Sequence, residues 1–144
     1  MTMYGEKRLT QALTYSGGIP FVGLAVMAAA GFEKDWAVNA FIAYGAVIAG
    51  FMGGTIWSQA QMTDVETRKL LALSNVAALV AWAALIVPGP LGFGLALQAG
   101  AFALLLGLDW RIRKASAQPE WYFMLRRNIS AIVIASYGLM ALVA

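Results

Sequence analysis

Seven carboxylates are the only side chains of this sequence suited to proton transfer near neutral pH, because it contains no His and no Cys. Without His the commonest general base and metal ligand is missing. Without Cys there is no thiol nucleophile, thiolate metal site or disulfide. Zinc sites of the usual types and His-ligated haem are therefore excluded, no metal is expected and no cofactor is implied. Among the acids, Asp64 and Glu66 sit two apart beside Arg68 and Lys69, Asp109 stands between apolar Leu108 and Trp110, and Glu120 follows Pro119. Paired carboxylates can do acid–base work. Here Thr63-Asp64-Val65-Glu66 has the form of a capping box, with Thr63 as cap and Glu66 reaching back. That makes them helix-end groups, and no acid has an evident catalytic partner at chemical spacing. The reading is a non-enzyme with no catalytic residues.

The elements that would position these groups are membrane spans. Hydrophobic residues make up 61% of the 144-residue chain, against about 45–50% in soluble proteins. The bilayer must then act as solvent for much of the surface. Five apolar runs, 9–32, 36–57, 70–87, 91–110 and 129–144, are separated by short polar turns. About 20 residues cross the roughly 30 Å of hydrocarbon. The fold class is therefore all-α, one domain over 1–144, with five transmembrane helices and no soluble domain on either side. Residues 1–32 also resemble a secretory signal, with Lys7 and Arg8 before an apolar run and Ala28-Ala29-Ala30 after it. We retain them as the first span, because their removal leaves an unpaired four-span remainder.

Orientation follows from the cations. Lys7, Arg8, Arg68, Lys69, Arg111, Arg113, Lys114, Arg126 and Arg127 fall on one side of a five-span chain, and only Lys34 on the other. This positive-inside pattern predicts a cytoplasmic N-terminus, a C-terminus on the opposite side, and a bacterial inner membrane. The net charge of +3 is concentrated where it meets anionic headgroups rather than nucleic acid.

Three kinds of candidate site remain. On the second span Ala46, Gly50, Gly54 and Ser58 recur every four residues, with Ala49 and Gly53 in a parallel row. The fourth span has Gly92, Ala96 and Gly100, and Ala99, Ala103 and Gly107. Small residues at this spacing let helices approach closely, either within the bundle or against another polypeptide. A second group could line a ligand pocket: Tyr15, the helix-breaking Pro20, Tyr44, Trp57, Asp109 and Gln98, whose amide lies near mid-membrane. Pro20 removes a backbone donor and predicts a kink or local unwinding, with Gly17 and Gly18 admitting a neighbouring helix. Third, Arg111, Arg113, Lys114, Arg126 and Arg127 could hold anionic lipid, although one of the last two could instead pair with Asp109 at the same level. Pro88-Gly89-Pro90 predicts a tight hairpin, and Pro119 starts a last helix running to Ala144.

Two stretches carry a family resemblance. One is Tyr44-Gly45-Ala46-Val47-Ile48 through Phe51-Met52-Gly53-Gly54 to Trp57. The other is Leu108-Asp109 with Arg111, then Pro119, Trp121-Tyr122 and Leu125-Arg126. In order and spacing they resemble small multi-span membrane proteins with a domain of unknown function, found in proteobacteria and in a mitochondrial transmembrane protein. A polar or basic residue often precedes the motif Trp in that family and Gly follows it. Here the positions are Ile56 and Ser58, so if the basic residue binds an anion in relatives, that role does not carry over. The resemblance implies a fold and a location but no activity.

The leading functional expectation is a non-catalytic inner-membrane protein acting by helix packing, as an oligomer or as an accessory subunit. The alternative is binding or movement of a hydrophobic or amphipathic molecule, or of anionic lipid, in a helix-bundle pocket.

Overall fold

The computed structural model describes residues 6–144 and contains five helices: α1 (Lys7–Ala29), α2 (Lys34–Thr63), α3 (Thr67–Ala83), α4 (Leu91–Lys114) and α5 (Glu120–Val143). Residues 1–5, the start of the signal-like segment, lie outside the described part. Each helix packs on its neighbour in sequence, α1 also packs on α5 to close the ring, and α2 reaches α4 inside it. Three helices, α1, α2 and α4, are long and apolar enough to cross a membrane. The chain is thus a helical bundle with the character of a multi-pass membrane protein. Its outward side chains agree, with Ile19, Val47, Phe51, Leu79, Ile86 and Leu142 all exposed. In water such a surface would drive aggregation. α3 spans only 17 residues, and α5 carries Arg126 and Arg127.

Local chemistry explains the turns. Gly31, at φ +73°, closes α1 as its left-handed terminal residue. Its N–H donates to Ala28 O at 3.1 Å and that of Phe32 to Met27 O at 3.0 Å, the paired bonds of a Schellman end. α2 runs six residues past Trp57, the expected end of the second span, to Thr63. The expected capping box does not form. Thr63 is the last residue of α2 and its hydroxyl donates back to Gln59 O. Glu66, at φ 41°, makes no side-chain cap. Thr67 ties the turn instead, its hydroxyl reaching Asp64 Oδ1 at 3.1 Å and Ala60 O at 3.2 Å.

Pro20 lies within α1, which continues through it without a break in the helix. The Tyr44 hydroxyl donates to Gly17 O at 2.7 Å, beside the turn where proline has removed a backbone donor. Gly18 allows α5 to approach, since a Cβ there would lie 2.7 Å from Ile129 Cδ1. The core is centred on aromatic rings from four helices. Phe21 packs edge-on to Phe41 at 5.4 Å and to Phe102 at 5.8 Å, and Phe41 to Tyr137 at 4.7 Å. Edge-to-face pairs of this kind add roughly 0.5–1.5 kcal/mol each beyond their buried area.

Two glycine rows, two destinations

The rows on α2 separate cleanly. Gly45, Ala49 and Gly53 are buried. A Cβ on Gly53 would stand 3.1 Å from the carbonyl oxygen of Ser74 in α3, and one on Gly94 of α4 3.1 Å from that of Ala84. These glycines hold backbones in contact. The neighbouring row does not. Nothing lies within 4 Å of a Cβ on Gly50, Gly54, Gly92, Gly100 or Gly107, and Ser58 is exposed. Packing within the bundle therefore uses Gly53 but not Gly50, Gly54, Gly92 or Gly100, while Ala46 is half-buried.

Candidate functional site: buried polar clusters and a cleft between α1, α2 and α5

Side chains on α2, α4 and α5 and the turn before α5 build one polar cluster. Asp109 is fully buried and Arg126 is 6% exposed. Arg126 Nε donates to Asp109 Oδ2 at 2.8 Å. Gln118 Nε2 donates to Asp109 Oδ1 at 3.1 Å and to Gln59 Oε1 at 3.0 Å. The Tyr122 ring centroid lies 5.8 Å from the Arg126 guanidinium carbon, within cation–π range. Both Asp109 oxygens thus accept hydrogen bonds from the chain itself. The arrangement ties α2, α4, the α4–α5 turn and α5 together.

A second cluster is centred on Gln98. Its amide donates to Ile42 O at 2.8 Å and Ala81 O at 3.1 Å, and its oxygen accepts from the Tyr137 hydroxyl at 2.6 Å. Gln98 links α2, α3, α4 and α5. Eleven residues separate it from Asp109 on α4, about 16 Å of helix rise.

The residues proposed from sequence as one ligand pocket are therefore not assembled into one. Gln98 and Asp109 belong to separate clusters. Tyr44 caps the Pro20 turn. Trp57 and Tyr15 are exposed, and the Tyr15 hydroxyl accepts from Asn128 Nδ2 at 3.3 Å. The cationic group also divides. Arg126, placed with the lipid-facing cations, is instead buried against Asp109, because a carboxylate at its level can compensate its charge. Arg111 forms an exposed pair with Glu66 at 3.1 Å. Arg113, Lys114 and Arg127 remain together around a shallow depression of about 340 Å³ with Glu120, Trp110 and Phe123.

Elsewhere, two separate concavities that share Phe51 as a wall lie between α1, α2 and α5 and together make up the cleft. Its wider part, about 480 Å³, is lined by Gly50, Phe51, Gly54, Thr55, Ser58 and Gln59 of α2, Thr10 of α1, and Trp121 and Tyr122 of α5. A narrower part of about 110 Å³ is lined by Leu13, Gly17 and Phe21 of α1, Ile48, Phe51 and Met52 of α2, and Arg126, Ile129, Ser130 and Val133 of α5. Phe51 stands on the wall of both. Ser130 is fully buried and its Oγ has no hydrogen-bond partner. Sequence reasoning missed Ser130, Gln59 and Gln118. Serine inside an apolar helix is a usable signal, since its hydroxyl must find a partner there. Nothing in sequence foretells the docking of Gln118 onto Gln59, which depends on how the α4–α5 turn folds back.

Among the described residues, no group of three or more acidic side chains is placed to hold a metal ion. Comparison with curated proteins and with solved structures finds no match. A family description does match, over residues 7–142. It takes in all five helices but for the last residue of α5, and with them both polar clusters and the cleft. The chain belongs to the DUF3429 family, proteins of unknown function.

Proposed function

We propose that the protein is a non-catalytic, five-span protein of the bacterial inner membrane that binds a hydrophobic or amphipathic molecule in the α1/α2/α5 cleft. In this reading α3 and α5 also cross the bilayer, the N-terminus is cytoplasmic and the C-terminus lies on the opposite side. The nine-to-one distribution of cations supports that orientation. The observation that carries the binding reading is the open space over Gly50 and Gly54. Two glycines in mid-helix cost roughly 1 kcal/mol each relative to alanine, and no helix of this bundle uses the room they leave. Instead they form one wall of a concavity faced by Trp121 and Tyr122. Mostly apolar cavities of about 300–1,000 Å³ with a few polar groups are the usual form of small-molecule sites.

A palmitic acid analogue with a diazirine at the chain end, photolysed in native membranes, tests the reading. Labelling of α1, α2 and α5 around Phe51 should saturate and be displaced by unlabelled excess. Gly54→Phe should remove the saturable part while leaving the fold intact, because its side chain enters open space. Unsaturable labelling spread evenly over all lipid-facing helices would overturn the proposal.

A second reading has its own support on α4. Gly92, Gly100 and Gly107 are also open above their Cα atoms, and close helix packing on another membrane polypeptide, or on a second copy, would use that room. Gly100→Leu should then shift the assembly size on a native gel, and unchanged migration would remove this reading.

A further inference from the structure

Resting on the cleft reading, we propose that the occupant is an anionic phospholipid of the cytoplasmic leaflet, one acyl chain of which enters the cleft with its ester carbonyl at Ser130 and Arg126. Three features set this chemistry. The first is Ser130, fully buried on the cleft wall with its Oγ unpartnered. A hydroxyl buried in an apolar helix bundle without a partner is costly. A carbonyl oxygen is the acceptor it lacks, and hydrocarbon chains offer that oxygen only at their head end. The second is the order of the lining along α5. Trp121 and Tyr122 line the wider concavity, and Arg126, Ser130 and Val133 follow in that order along the narrower one. Trp and Tyr favour the headgroup level. Arg126 lies five residues from Trp121, about 7.5 Å of rise, and Ser130 nine, about 13.5 Å. That is the sequence of a phospholipid itself: headgroup, ester, chain. The third is charge. Lys7 Nζ lies 5.7 Å from the centre of the Trp121 ring, which puts one cation beside the cleft mouth. The buried Arg126 is already compensated by Asp109. A carbonyl dipole suits that neutral pair, and the formal negative charge belongs at the mouth.

Delipidated protein titrated with dioleoyl phosphatidylglycerol and followed by native mass spectrometry tests the assignment. One lipid should bind saturably, with dioleoyl phosphatidylethanolamine about tenfold weaker and hexadecane unable to compete. Ser130→Ala should weaken phosphatidylglycerol about fivefold, the loss of one hydrogen bond. Lys7→Gln should narrow the difference between the two lipids. Equal binding by wild type and Ser130→Ala, or equal binding of the two lipids, overturns the inference. In either case the cleft reading survives if Gly54→Phe still abolishes binding, and both fall if Gly54→Phe binds phosphatidylglycerol as wild type does.

Discussion

Replacing Asp109 with Asn lowers the unfolding free energy by about 3–5 kcal/mol, the cost of leaving one member of a buried ion pair without its partner. The side chains of Asp109 and Arg126 are 0% and 7% exposed, so water cannot enter to solvate the stranded guanidinium. Asn preserves the shape and its single oxygen can still accept from Gln118, but its amide then meets Arg126 Nε donor to donor, so the charge and one hydrogen bond are lost together. Arg126→Leu should cost a comparable amount, because it strands the carboxylate instead. The double variant Asp109→Leu/Arg126→Leu is expected within about 2 kcal/mol of wild type, since exchanging a whole buried pair for apolar residues is often nearly neutral. Reversible unfolding in mixed micelles measures all three. Purely additive losses in the double variant would mean that the two residues act independently.

Gly45→Ala should be nearly as damaging, despite adding a single methyl group. Its Cβ would fall 2.5 Å from Gln98 Oε1 and closer still to the Tyr137 hydroxyl. The methyl occupies the space of the hydrogen bond between them. Overpacking costs about 1–3 kcal/mol, and separating Tyr137 from Gln98 adds roughly 1–3 kcal/mol for the buried groups left unsatisfied. Tyr137→Phe in the same chain should recover part of the loss by removing the clashing oxygen. Gly50→Ala, five residues along the same helix, is the internal control. It meets nothing within 4 Å, so stability should hold or rise by up to about 1 kcal/mol from helix propensity. Equal effects at the two positions would contradict the division of α2 into an inward and an outward glycine row.

That division shows where sequence stops being informative. Apolar run lengths, Pro88-Gly89-Pro90 and Pro119 are local signals. They place all five helices to within a few residues, apart from the end of α2. The pairing of Asp109 with a nearby Arg was legible too, as an alternative to lipid contact, because both sit at one level and neither charge is stable alone in an apolar bundle. Helix phase was not. Gly45/Ala49/Gly53 and Ala46/Gly50/Gly54 are one residue apart, a turn of about 100°. Which row faces inward is decided by where Phe41, Met52 and Ile56 find partners on other helices. Gln98 illustrates the same limit. Its depth marked it as a polar point, but only the fold shows its amide consumed by two carbonyls and a tyrosine. The cleft is wholly tertiary, and its wider part is assembled from residues as distant in sequence as Thr10 and Trp121.

In the cell the α1/α2/α5 cleft is expected to hold a small molecule. Native mass spectrometry of the protein released gently from its own membrane tests this most directly, with wild type and Gly54→Phe run side by side. The wild-type chain should carry a defined adduct of phospholipid mass that is absent from Gly54→Phe. Bare wild-type chain, or a complex with another polypeptide that carries no small molecule, would contradict it and turn attention to the open glycines of α4.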